Sequence, residues 1–240
     1  MKIITAKDKK EAGRICADLF EEVIREKEDA LLGLATGSTP IGLYECLSED
    51  YSLGRISMAG VHTINLDEYV GLGRDHEQSF GYFMDEHLFS RVDIPASNIM
   101  LLNGLSDPRK EIEIYEAFLA QNRIDILILG IGNNGHIGFN EPEPVFRTRT
   151  HLVDLTPETI EANARFFTSA DEVPKKALTM GMGGICGARK ICLAAFGASK
   201  ADAISRMLRD DTVDPMLPCS VLKLCSDVTV IIDQDLKDHM

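Results

Sequence analysis

Short apolar runs alternate with longer amphipathic stretches along this chain. Ala12, Ile15, Cys16, Leu19, Phe20, Val23 and Ile24 recur at three- and four-residue spacing, which predicts a helix over 7–27. ALLGLA, 30–35, is an unbroken apolar run of strand length; TGSTP and the helical IGLYECL follow it. A second strand is predicted at 61–66, running out into DEY, then helices over 79–89 and 107–121. A third strand covers 125–129 and 151–155 is strand-like. TPETIEANARFF opens on a Thr-Pro helix start. Residues 190–196 form another strand, followed by GASK and the helix ADAISRML, and 228–232 closes the pattern. Buried strands alternating with helices predict an α/β fold, a mostly parallel sheet with helices on both faces. No repeat, low-complexity tract or linker interrupts 1–240, so one domain is expected.

In such sheets ligands bind beyond the carboxyl ends of the strands, so the residues after each strand carry the chemistry. After the first strand come Thr36, Gly37, Ser38, Thr39 and Pro40. A glycine and hydroxyls opening a helix suit a phosphate, because the backbone N–H groups and the helix dipole both favour an anion. The plainer reading is an ordinary capped helix, with Thr39 as N-cap and Pro40 as the first helical residue. It is not a Walker loop, which would end in GK[ST]. Asp67 and Glu68 follow the second strand; Asp67 is placed to be a general base, or else is a solvated turn acid.

The third strand breaks into GIGNNGHIGFNEP, 130–142. This is not a dinucleotide fingerprint, since no helix is expected after it. It carries His136, with Glu141 and Asn134 close in sequence. An imidazole gains and loses protons near neutrality, and a carboxylate and an amide beside it can orient it. Lys200, at a strand exit, and Arg165, in ANARFF, are candidate phosphate cations, although from spacing alone both also read as ordinary surface charges.

Composition narrows the partners. Thirty-eight acidic residues against 25 Lys and Arg give a formal charge of -13, which speaks against nucleic acid or an anionic membrane. Six cysteines without CxxC or zinc spacing read as reduced core thiols of a cytoplasmic protein. The N-terminus MKIITAKDKKEAG has no long apolar run, so no signal peptide is expected, and no membrane span either. No metal cluster and no base-activated nucleophile stand out. Acid–base chemistry on a small anionic molecule, without metal or cofactor, fits best.

LGLATGSTPIGLY, TINLDEYVGL, VDIPASNIMLLNG, LGIGNNGHIGFNEP, ANARFF and FGASKADAI occur in the order found in the glucosamine-6-phosphate deaminase (isomerase) family, which this chain resembles over nearly its whole length. The resemblance implies a Rossmann-like parallel sheet and conversion of glucosamine 6-phosphate and water to fructose 6-phosphate and ammonia. It implies that His136 opens the sugar ring, Glu141 and Asn134 orient and tune it, and Asp67 moves the C2 proton. The amide oxygen of Asn134 would accept from the imidazole. Thr36, Gly37, Ser38, Thr39, Arg165 and Lys200 would hold the phosphate, with 156–174 as a lid. A galactosamine-6-phosphate deaminase, a 6-phosphogluconolactonase and a non-catalytic sugar-phosphate sensor are the related alternatives. Hexameric relatives bind an acetylated sugar phosphate through a Ser, an Arg and a Lys. The same count here meets Pro144, His151 and Val153, with Arg147 and Arg149 nearby. The chain also stops at Met240, without the C-terminal extension of those relatives. A non-allosteric monomer or small homo-oligomer is therefore expected.

Overall fold

The structure, a computed structural model, describes residues 1–156, 160, 161, 167 and 172–240. Seven strands form the central sheet: β1 (Lys2–Ala6), β2 (Leu31–Leu34), β3 (His62–Asn65), β5 (Ile99–Met100), β6 (Ile126–Leu129), β9 (Lys190–Ala195) and β10 (Val228–Asp233). Their order is β1-β10-β9-β6-β2-β3-β5, and each neighbouring pair is parallel. β2 and β6 are buried at every position, so both faces of the sheet are covered. A smaller antiparallel sheet, β4-β8-β7, is built from β4 (Asp67–Tyr69), β7 (His151–Asp154) and β8 (Lys176–Thr179).

Local chemistry sets the helix starts. Asp8 caps α1 (Lys9–Glu26) by accepting from the Glu11 N–H at 2.8 Å, and Glu11 reaches back to the Lys7 N–H at 2.6 Å. Ser79 caps α3 (Phe80–His87), and Asp107 caps α4 (Pro108–Gln121), where Pro108 needs no N–H partner. α1 lies against α2 (Ile41–Ser52) with Gly13 on Gly42; a Cβ at Gly13 would fall 2.7 Å from the Gly42 carbonyl carbon. The remaining helices are α5 (Met182–Gly187), α6 (Ala201–Arg209) and α7 (Gln234–Asp238).

Most predicted elements are present with ends shifted by a few residues. The differences have local causes. Pro40, not Thr39, is the N-cap of α2, the helix starts at Ile41, and no side chain caps it. DEY is itself a strand, because its backbone pairs with β8 instead of turning into solvent. β1 is an edge strand with exposed positions, β8 begins exposed, and β5 and the short helices α5 and α7 have too few residues to register as periodic patterns. In the expected TPETIEANARFF helix, only Thr156, Ile160, Glu161 and Phe167 are among the described residues. All six cysteines are free thiols, as expected.

Candidate active site

Parallel pairing brings the carboxyl ends of β9, β6, β2 and β3 side by side along one edge. The four segments singled out from the sequence, namely Lys200, the glycine-rich loop, the TGST turn and Asp67, follow these strands in that order across the edge. Neighbouring segments touch. A Cβ at Gly130 would lie 3.5 Å from Oγ1 of Thr39, and one at Gly138 would lie 3.6 Å from Oδ2 of Asp67. Two tyrosines brace the exits from below: the Tyr44 hydroxyl donates to the Ala35 carbonyl at 2.6 Å, and Tyr115 donates to the Asn65 carbonyl.

Asp67 is 9% exposed and sits in β4 opposite Thr179 of β8. Burial, followed by the negative charge of Glu68, pushes its carboxyl up to about 8. Neither an ion pair nor a hydrogen bond from the described residues offsets that burial. Gly138 keeps the space in front of it open. With φ at +58°, this glycine adopts a conformation that L side chains rarely take, and a Cβ there would also come within 3.0 Å of Thr179 Oγ1 and 3.5 Å of Asn140 Nδ2. Asn140 is locked by donating to the carbonyls of Ile137 and Met180, both at 2.9 Å. Thr179 Oγ1 accepts the Phe139 N–H at 3.1 Å. Gly138, Asn140 and Thr179 thus shape the pocket in front of Asp67. Gly138 and Asn140 were visible within the loop motif. Thr179 carried no signal, because β8 itself was not read.

His136 approaches Glu141 with Nδ1 and Oε1 3.3 Å apart, close enough for an ion pair but off the hydrogen-bond line. Its ring lies flat on Gly132: a Cβ there would fall 2.2–2.5 Å from three ring atoms. Asn134 corrects the expectation that its oxygen accepts from the imidazole. That oxygen takes the backbone N–H of His136 at 3.1 Å, and its amide donates to Glu141 Oε2 at 2.7 Å. With only Gly135 between the two residues, the short side chain closes on the His136 backbone and its oxygen is taken there. The loop is pinned from behind, where Gly135 accepts the Cys219 N–H at 2.8 Å.

The TGST turn is open. Gly37 and Ser38 are exposed, and Gly37 takes φ of +87°. No hydrogen bond among the described residues engages the hydroxyls of Thr36, Ser38 or Thr39. Lys200 is half-buried and makes no ion pair with the described residues; burial lowers its pKa. The turn bearing it is fixed by the Gly197 N–H on Asp233 at 3.0 Å and the Ala198 N–H on Asp235 at 3.1 Å. Arg165 lies outside the described residues. A cavity of about 340 Å³ opens on the opposite edge of the sheet, between Lys27, His62, Arg123 and Arg189. Its cations are already engaged: Lys27 and Arg189 with Asp125 at 2.7 and 3.2 Å, and Arg123 with the Gly187 carbonyl at 2.8 Å. The chemistry therefore belongs to the carboxyl edge.

A buried carboxylate of raised pKa and a histidine–carboxylate pair, both on the carboxyl edge of a parallel α/β sheet, are groups suited to proton transfer. The chain belongs to the family of glucosamine-6-phosphate isomerases and 6-phosphogluconolactonases, whose model matches residues 8–231. It is 47% identical to a glucosamine-6-phosphate deaminase of Clostridium beijerinckii over 98% of both chains. It is 46% identical to one of Thermoanaerobacter sp. (strain X514), over 98% of this chain and 93% of that protein. Among solved structures it is similar to a monomeric glucosamine-6-phosphate deaminase, with TM-score 0.96, 41% identity and full coverage of both chains.

Proposed function

We propose that this chain is a glucosamine-6-phosphate deaminase, converting glucosamine 6-phosphate and water to fructose 6-phosphate and ammonia. The observation that carries this reading is the buried carboxylate of Asp67 on the same edge as His136 and Glu141. Isomerisation next to a carbonyl needs one base able to give and take a proton between adjacent carbons. Asp67, buried and without a cation beside it among the described residues, has the basicity for that task. Hydrolysis of a lactone has no such step.

The phosphate rests on the Thr36–Gly37–Ser38–Thr39 turn and Lys200, with Arg165 as the second cation, so binding energy at one end positions the reacting end. His136, backed by Glu141, takes the anomeric hydroxyl proton and opens the ring. Asn134 acts through Glu141. Asp67 removes the C2 proton from the open chain, giving an enolamine, and returns it at C1. The resulting ketose imine takes up water and expels ammonia. The substrate's ammonium group, close to Asp67, favours its ionised form on binding. The whole of 1–240 serves as one domain and needs neither metal nor cofactor. It acts as a monomer or small homo-oligomer in the cytoplasm; among the described residues no helix is long and apolar enough to cross a membrane.

The test is ammonia release from glucosamine 6-phosphate and from its galacto epimer, run beside hydrolysis of 6-phosphogluconolactone. Preferred turnover of the gluco substrate is expected. Turnover of only the lactone, or of nothing, overturns the reading.

A further inference from the structure

We propose that Glu68 is a positioning residue for the reaction: its carboxylate, anchored on the N-terminus of α3, locks β4 so that Asp67 stays against Gly138 and Thr179, and it sets a fixed negative charge behind the base. The inference rests on Asp67 being the base.

Consecutive residues of a strand point to opposite faces. Asp67 faces the catalytic loop, and Glu68 faces α3. Glu68 is 3% exposed, and its two oxygens take three backbone N–H groups: Tyr69 at 2.9 Å, and Phe80 and Gly81 at 3.0 Å each. The last two belong to the first turn of α3, which has no intrahelical acceptor for them, and the helix dipole adds to the preference for an anion there. Burial raises the Glu68 pKa, and these three bonds offset that rise in part.

The surroundings leave Glu68 as the charge acting on Asp67. Arg74 packs its stem on Gly81, but its guanidinium is committed to Asp85 at 2.9 and 2.6 Å. From β8 Asp67 is paired with the neutral Thr179, and from the catalytic loop Gly138 stands before it, with the neutral Asn140 also beside that glycine. The tyrosines of α2 and α4, Tyr44 and Tyr115, stay protonated because burial, and then Asp67 itself, raise their pKa values. An anion one residue away makes Asp67 a stronger base. A carboxylate that merely tied α3 down would leave the base's titration where it is.

The experiment compares pH profiles of Glu68→Gln and Ser79→Ala with the parent. Glu68→Gln removes the charge and one N–H acceptor. Its acid limb in kcat/KM is expected to move down by about one pH unit, with kcat at the plateau falling about tenfold as the base weakens. Ser79→Ala loosens the same helix start without changing charge, and it is expected to lower thermal stability with the limb in place. Carboxyl 13C NMR of the unmutated protein gives a second reading, in which Glu68 ionises at lower pH than Asp67. An unmoved limb in Glu68→Gln overturns the inference, as does a Glu68 that stays protonated through the Asp67 transition. If Asp67→Asn retains full activity, it is the role of Asp67 that fails.

Discussion

The side-chain amide of Asn134 donates to Oε2 of Glu141 at 2.7 Å while its oxygen holds the backbone N–H of His136 at 3.1 Å. One residue thus ties the carboxylate and the loop bearing the imidazole into a single unit. A carboxylate in place of the amide could keep the second bond, but it would face Glu141 as a like charge.

Asn134→Asp is therefore expected to lose activity in a pH-dependent way. At low pH the two carboxyls can share a proton and keep the contact. At higher pH both ionise and repel, and Glu141 leaves His136. Losing a hydrogen bond to a charged group costs about 1.5–3 kcal/mol, roughly tenfold or more in kcat. The deficit relative to the parent should grow as pH rises through the carboxylate range, from about pH 4 to about pH 7. A constant ratio across that range would show that the two side chains are not coupled.

Asp67 should reveal itself through both rate and stability. Removing a positioned base costs about 10²–10⁴-fold, so Asp67→Asn should lose turnover while still binding the phosphosugar. Its pKa of about 8 lies above the usual value of about 3.9 for an unfolded chain. Between those values the folded protein holds a proton that the unfolded chain has released. The stability this confers is full below the unfolded pKa and is lost as pH rises through the folded one. Asp67→Asn should then match the parent's melting temperature near pH 4 and exceed it increasingly towards pH 9. The acid limb of kcat/KM should centre near pH 8, with that of kcat lower because the bound ammonium opposes protonation. A parent melting temperature no lower than the mutant's at pH 9 would contradict the raised pKa.

Gly132→Ala separates packing from backbone strain. Gly132 does not need a positive φ, so alanine fits its backbone; the added Cβ meets only the imidazole, at 2.2–2.5 Å. The His136 ring has to leave its place. The variant should fold with a melting temperature within a few degrees of the parent's, while its kcat falls to that of His136→Ala. Near-normal turnover would mean that the ring position is not critical.

The sheet was legible because strands buried on both faces, such as β2 and β6, leave unbroken apolar runs. The site was legible because the parallel order lines up exits that the sequence had already marked with Asp67, His136 and Lys200. Contacts formed across the small second sheet were not legible. β7 alternates half-buried and exposed positions and β8 begins exposed, so neither leaves an unbroken apolar run, and Thr179 is paired with Asp67 through the β4–β8 ladder. The direction of the Asn134 bonds was misread for a related reason: a side chain's spacing in sequence says that it can reach a ring, not that a nearer backbone N–H will take its oxygen first.

Lys200→Ala should chiefly raise KM, by about tenfold or more, because a phosphate contact is made before and during chemistry alike. Lys200→Arg should recover only part of the loss, since a planar guanidinium does not place its charge where the half-buried ammonium does. Initial-rate kinetics against inorganic phosphate as competitor would check both. A large fall in kcat at unchanged KM would remove Lys200 from the phosphate site.

The last prediction concerns regulation. An effector phosphate needs a hydroxyl and fixed cations, and the corresponding positions here are Pro144, His151 and Val153. His151 cannot serve as a standing cation near neutrality. Burial lowers its pKa, and the Arg149 carbonyl, 2.8 Å from Nδ1, offsets that only in part. The two nearby arginines are engaged elsewhere: Arg147 with Glu143 at 3.0 Å, and Arg149 with Glu116 at 3.2 Å. Binding an anion there would first have to break those pairs, which weakens any preference for one conformation over another. Without a second site that distinguishes two states there is no coupling free energy to exploit. Rate against glucosamine 6-phosphate should therefore be hyperbolic, and N-acetylglucosamine 6-phosphate should leave the curve unchanged. Sigmoidal kinetics that the acetylated sugar phosphate makes hyperbolic would overturn this expectation. Glu116→Gln with Glu143→Gln offers the converse test. Freeing both arginines should permit weak phosphate binding at this surface, still without sigmoidal kinetics, because attraction alone does not create a second conformation to select.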